Sequence, residues 1–283
     1  MKLLRVGEPG EEKPAVLVEN GRLLDLTPVT ADMNSAFLGA DGLERARRAV
    51  GEGLLPELNA EGISIGAPLT RPGKVVCVGL NYRDHAAETG AEIPTRPVVF
   101  MKDPGMVVGP NDQVLIPRRS VKTDREVELA VVIGRRARYL DGPDAARGVI
   151  AGYAVSHDVS EREYQLEYPS QWDIGKSCET FNPLGPWLVT TDEVEDPQNL
   201  GLRLAGDGVK RQNGNTRDMI FPVARIVHYL SQYMILEPGD VINTGTPTGV
   251  ALGLPGTPYL LHGETAELEI DGLGRQRQTF AQA

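Results

Sequence analysis

Cysteine is scarce: Cys77 and Cys178 are the only two among 283 residues. Neither belongs to a CxxC pair or a Cys/His cluster, which excludes a disulfide framework and leaves two reduced thiols as the reading. Long apolar runs are lacking too. The stretch MKLLRVGEPGEEK meets Arg5 and Glu8 before any apolar run reaches signal-peptide length, and nothing approaches the 18 or so apolar residues of a membrane span. The expectation is a cytoplasmic chain. Positive charge is in deficit, with 29 Lys and Arg against 39 Asp and Glu and a net charge of −10. Nonspecific nucleic-acid binding needs Lys and Arg to neutralise phosphates, so it is excluded as a function class. Also absent are GxGxxG opening a helix, GxSxG, HExxH and a Walker-type phosphate loop, since Gly175-Lys176-Ser177 lacks the upstream glycine.

What the chain does have is 32 glycines and 21 prolines. Both break helix interiors, so the sequence reads as turn-rich and strand-dominated. Its length suits one large domain or two modest ones. Residues 14–26, PAVLVENGRLLDL, predict an opening β-hairpin through Asn20-Gly21, whose tolerance of positive φ is the strongest short hairpin signal. A short helix is expected over 41–50 behind an Asp41 cap. A Gly/Pro-rich stretch follows, and a domain boundary is placed near residue 70. Beyond it, strands are expected at 74–80, 97–102, 113–117, 126–134 and 150–158, with too few helix-length segments between them for a doubly wound sheet. A second hairpin is signalled around Asp207-Gly208. One long helix is predicted over 221–236, where Val223, Ile226, Val227, Leu230 and Met234 form an apolar stripe. No repeat or low-complexity tract is present.

Candidate chemistry begins at DREVELAVVIG. Side chains alternate across a strand, so Glu126 and Glu128 share one face while Val127, Leu129 and Val131 share the other. Such a pair converges on a cation or is simply the solvated side of an amphipathic strand. The next apolar strand ends in His157 and Asp158. A third carboxylate there would complete an oxygen site of the kind that Mg²⁺, Mn²⁺ or Ca²⁺ accepts. Alternatively, Asp158 caps a short helix over SEREYQLEY. Lys176, among Gly, Ser and Pro in an expected loop, is either a cation for the site or a surface lysine. In NYRDHAAETG, one helical turn brings His85 beside Glu88. A carboxylate next to a His is the usual way to hold a general base in the right tautomer, although an ordinary polar pair has the same spacing. Residues 240–250, DVINTGTPTGV, run from a strand into a loop whose amides either bind an anion or form a structural turn.

Taken in order, NYRDHAAETG, FMK, EVELAVVIG, HDVSERE, GKSCETFNPLGPW, RQNGNTRDMIF and LEPGDVINTGTPTGV resemble the fumarylacetoacetate hydrolase family over about residues 72–273. The opening segment and the Arg-Gln-Asn-Gly stretch look most like its bacterial branch that hydrolyses 2,4-diketo-3-deoxy sugar acids. The resemblance implies an α+β, strand-dominated fold, with a mixed β-sandwich or roll over 71–283 and a small β-rich N-terminal domain over 1–70. It also implies a homodimer, a divalent metal, in the first place Mg²⁺, and a 2-oxo acid substrate. Carried over by motif, Glu126, Glu128 and Asp158 would be metal ligands. His85 and Glu88 would form a dyad on a lid segment, and Lys176 would stabilise developing oxyanion charge. Gln165, Tyr82 and Thr246 match substrate-contact positions, and Lys102 in FMK is grouped with them. Asp103-Pro104-Gly105 departs from the small hydroxyl residues common in the family. The activity implied is hydrolysis of a C–C bond in a 2,4-diketo acid. Decarboxylation, isomerisation or hydration on the same scaffold, or a non-catalytic binding protein, are the alternatives.

Overall fold

The run VELAVVI forms strand Val127–Ile133, and every one of its residues is buried. Both faces are covered, which explains why the run is apolar at consecutive positions rather than at alternate ones. Val127, Leu129, Val131 and Ile133 pack into a cluster that includes Leu202, Leu268 and Phe280. Ala130 and Val132 face the other way, into a cluster with Leu3, Phe37, Ala46 and Leu184.

The protein is described by a computed structural model covering residues 1–19, 21–59, 62–168 and 171–283. Strand Val127–Ile133 lies near the middle of a twelve-stranded mixed sheet. On one side follow Val241–Asn243, Val75–Gly79 and Val98–Lys102. On the other come Ile150–His157, Asn182–Thr190 and then the N-terminal strands Lys2–Val6, Lys13–Leu17, Leu23–Asp25 and Glu57–Leu58. A five-stranded sheet, ordered Val209–Asn215, Gly201–Gly206, Thr265–Ile270, Gly274–Gln282 and Val114–Ile116, covers one face. The expected strand-dominated α+β sandwich is therefore what forms. Residue 70 lies between Ile65–Gly66 and Val75–Gly79, and the large sheet is continuous across it because Lys2 pairs with Val189 and Leu3 with Leu188. Among the described residues no helix is long and apolar enough to cross a membrane.

Both predicted hairpins are present. Leu17 pairs with Leu23 across the first, although Asn20 lies outside the described residues. That hairpin does not open the fold, since strand Lys2–Val6 precedes it and pairs with its first arm. The second turns through Asp207 and Gly208 with φ of 46° and 75°, as a two-residue I′ turn requires. Helix Gly42–Gly51 matches expectation, but Asp41 sits at φ 53° and makes no side-chain cap bond. The long helix is shorter than predicted. It spans Val223–Ser231, because the Ser231 carbonyl accepts from the Tyr139 amide at 2.8 Å and Leu236 pairs with Ala137. Residues 232–234 close the helix in turns back onto Tyr229 and Leu230, and Leu236 pairs with Ala137 before the Glu237-Pro238-Gly239 stop is reached. SEREYQLEY is not a capped α-helix either: Ser160–Glu161 is a strand and Glu163–Glu167 a single π-helical turn.

Candidate active site

Register builds the centre of the site. Val127 pairs with His157 and Glu128 with Ser156, and the Asp158 amide donates to the Glu126 carbonyl at 3.0 Å. Residues opposite one another in a ladder share a face, so Glu126, Glu128 and Asp158 project together. All three are buried, and one carboxylate oxygen from each lies within 4.8 Å of the others. The solvated-strand alternative is thereby excluded, as is Asp158 as a helix cap.

Three cations are buried with them. Lys102 Nζ donates to Asp158 Oδ1 at 2.5 Å and to the Phe181 and Val159 carbonyls at 2.6 and 3.3 Å. Lys176 Nζ donates to Glu126 Oε2 at 2.6 Å and lies 3.1 Å from Asp158 Oδ2. Arg162 reaches Glu126 Oε1 at 2.5 Å, Asp124 Oδ2 at 2.8 Å and Gln165 Oε1 at 2.8 Å. Lys176 ends the short helix Trp172–Lys176 rather than lying in the expected loop. Gly175 permits that placement, since a Cβ there would meet the Gln165 amide nitrogen at 2.5 Å.

The electrostatics separate the two glutamates. Burial opposes ionisation of Glu126, yet Lys176 and Arg162 outweigh it and hold the carboxyl well below its ordinary range. For Glu128, burial and the neighbouring Asp158 and Glu126 act together and push the carboxyl well above it. Its one hydrogen bond comes from the Gly245 amide at 2.8 Å. Asp158 Oδ2 is buried without a hydrogen bond. Asp158 Oδ2 thus has an ion-pair contact with Lys176 but no hydrogen bond, and Glu128 has no ion pair among the described residues, a set that a hard divalent ion would complete. The donor set therefore fits Mg²⁺ or Mn²⁺.

His85 and Glu88 also meet, with Nδ1 to Oε2 at 3.4 Å on helix Arg83–Glu88. Burial disfavours the Glu88 charge, but hydrogen bonds from His85, Thr248 and the Gly249 amide lower its pKa overall. Two amides of the 240–250 loop are thus engaged with carboxylates of the chain itself, Gly245 with Glu128 and Gly249 with Glu88. A cavity of about 250 Å³ joins His85, Glu126, Glu128, Gln165, Lys176 and Thr246. Tyr82 and Lys102 are not among its lining residues. Tyr82 is wholly buried in the core with an unpartnered hydroxyl, and Lys102 donates to Asp158.

The family model for the C-terminal part of fumarylacetoacetate hydrolase matches residues 74–281. The chain belongs to the fumarylacetoacetate hydrolase family. A Burkholderia ambifaria relative, named provisionally as a hydrolase with no substrate stated, is 52% identical with all of both chains covered. Among solved structures, maleylpyruvate hydrolase from Sphingobium sp. SYK-6, in complex with manganese(II) and pyruvate, is similar at 27% identity and a TM-score of 0.82 over all of both chains. So is 5-carboxymethyl-2-hydroxymuconate delta-isomerase from Mycobacterium smegmatis, at 29% identity and a TM-score of 0.79, covering all of this chain and 99% of that one.

Two members of this family site escaped sequence reasoning, Arg162 and Asp124. Asp124 accepts from the Ala251 and Leu252 amides at 2.7 and 3.1 Å as well as from Arg162, tying the turn Ala251–Gly253 to the acidic cluster. Their signal was present in DREVE and SEREYQ, where a charge beside each expected ligand went unread.

Cys178 lies two residues beyond Lys176 but takes no part. Burial, then Glu161, pushes its thiol up to about 11. Only the thiolate is nucleophilic, so its alkylation by iodoacetamide at pH 8 is expected to run about a hundredfold slower than that of an ordinary thiol and to accelerate tenfold per pH unit up to about 11. Mass spectrometry of the time course would show this, and a rate like that of free cysteine would contradict it.

Proposed function

We propose that this chain is a divalent-metal-dependent hydrolase that cleaves a C–C bond in a 2,4-diketo acid, giving pyruvate and a second acid. One observation carries the reading: Glu126, Glu128 and His85 line a single cavity, with Asp158 converging on the two glutamates and Glu88 at 3.4 Å from His85. Glu126, Glu128 and Asp158 would hold the ion, which supplies Lewis acidity and a template for the 2-oxo acid. The manganese and pyruvate in the Sphingobium hydrolase support both the metal class and the product.

His85 lines the cavity while its Nδ1 faces Glu88, which leaves the other ring nitrogen to take a proton from water. The water oxygen bonds to the distal carbonyl carbon, C4. The C3–C4 bond then breaks, and its electron pair leaves on the three-carbon fragment as the enolate. Lys176, whose burial is outweighed by Asp158 and Glu126 so that it stays firmly cationic, offsets that negative charge. The proton on His85 returns to C3, completing pyruvate.

The test is pyruvate release from acylpyruvates, oxaloacetate and 2,4-diketo-3-deoxy sugar acids, with and without Mg²⁺. His85→Ala is expected to lower kcat by about 10²–10⁴. An unchanged rate would move base duty elsewhere. Carbon dioxide release from oxaloacetate, or a double-bond shift without cleavage, would replace hydrolysis by decarboxylation or isomerisation.

A further inference from the structure

The cavity wall changes character one helical turn away from the acidic cluster. Trp172 and Lys176 stand at i and i+4 of one short helix, so they share a face about 6 Å apart along its axis, and both line the cavity. At the Lys176 end the wall is charged. At the Trp172 end it is aromatic, for Trp172 packs edge-to-face against Phe100 with centroids 5.5 Å apart. Val78, Leu80, Leu166 and Leu252 belong to the same wall. Gly79 makes room for the indole, since a Cβ there would lie 2.6 Å from Trp172 Cζ3.

The cations of this wall other than His85 are already committed, and of its hydrogen-bonding side chains Gln165 accepts from Arg162 through Oε1 at 2.8 Å. Its described cations besides His85 are Arg162 and Lys176. Arg162 is matched by Asp124 and Glu126, and Lys176 by Glu126 and Asp158. Thr89 Oγ1 donates to the His85 carbonyl at 3.0 Å and Thr246 Oγ1 to the Val127 carbonyl at 2.9 Å, so both hydroxyls spend their protons on backbone. A second carboxylate on the substrate would find no uncommitted cation, and a row of hydroxyls would be desolvated against hydrocarbon.

We infer that the cavity selects substrates whose acyl tail is apolar: a 2-oxo acid head carrying an alkyl or aryl group, in preference to a tail with a second carboxylate or several hydroxyls. The inference rests on the proposed function for where the head sits, and it runs against the sugar-acid class that the sequence resemblance suggested.

Two measurements test it. In calorimetry on the Mn²⁺-loaded protein, 2-oxooctanoate is expected to bind at least tenfold tighter than 2-oxooctanedioate, which differs only in its terminal carboxylate. Leu252→Lys is expected to reverse that order. In turnover, kcat/KM for pyruvate release is expected to rise by about fourfold per methylene from acetylpyruvate to hexanoylpyruvate, following the transfer free energy of a buried methylene. Equal or tighter binding of the dioate, or a polyhydroxylated acylpyruvate turned over better than hexanoylpyruvate, would overturn the inference. If no acylpyruvate releases pyruvate while calorimetry keeps the alkyl preference, the hydrolase reading falls and the apolar selectivity stands.

Discussion

Replacing Lys102 with methionine is expected to cost the fold about 3–5 kcal/mol, the scale for breaking a buried ion pair from one side. Methionine is of similar length, so little cavity is created and the loss isolates the ammonium. Lys102 Nζ makes three buried bonds, to Asp158 Oδ1 and to the Phe181 and Val159 carbonyls. Without them two carbonyls lose a donor, and Asp158 is left with Lys176 at 3.1 Å on its other oxygen, which has no hydrogen bond. Urea unfolding followed by circular dichroism measures the cost. The double variant Lys102→Met/Asp158→Asn is expected to recover part of it by removing the charge left behind, and it provides the readout if the single variant does not fold. A loss under about 1 kcal/mol would mean that the surrounding carbonyls and Lys176 suffice to hold Asp158.

That dependence also shows what could be read in advance. The alternation in EVELAVVI placed Glu126 and Glu128 on one face, and a carboxylate closing the next apolar strand placed Asp158 near them; pairing Val127 with His157 then aligned all three. Spacing within one helical turn likewise found His85 and Glu88. These are local patterns of period 2 and 3.6, which survive folding because the strand and helix impose them. Lys176 was read as a candidate cation for the site, but which carboxylate each cation meets was not legible, because each comes from a distant segment. Lys102 meets Asp158 across 56 residues, Lys176 meets Glu126 across 50, and Arg162 meets Glu126 across 36. The same reasoning explains why the predicted helix stops early, where Ser231 and Leu236 bond the Ala137–Tyr139 segment. It also explains why two amides of the glycine loop meet Glu128 and Glu88.

The two glutamates of the ExE pair should be told apart by stability although they share one function. Glu126→Gln and Glu128→Gln are both expected to abolish the rise in melting temperature that Mn²⁺ gives the wild type, because each removes a ligand oxygen that binds the ion only in the folded state. Without metal the two diverge. Glu126 is the common partner of Lys176 and Arg162, and its neutralisation is expected to cost about 3 kcal/mol. Glu128 forms no ion pair among the described residues, and glutamine retains the acceptor for the Gly245 amide, so its replacement is expected to stay within about 1 kcal/mol of wild type. Acidity should separate them further. The Glu126 carboxyl is held below its ordinary value of 4.5, so its contribution is present above that value and is lost as pH falls through the lowered pKa; the gap between wild type and Glu126→Gln should therefore narrow in acid. The Glu128 carboxyl is raised well above 4.5, so its contribution is complete below that value and is lost as pH rises through the raised pKa. Glu128→Gln should then gain on the metal-free wild type with rising pH. Melting curves at a series of pH values, with and without Mn²⁺, would show the two trends running in opposite directions, and parallel trends would refute a Glu126 carboxyl held low and a Glu128 carboxyl pushed high in the metal-free site.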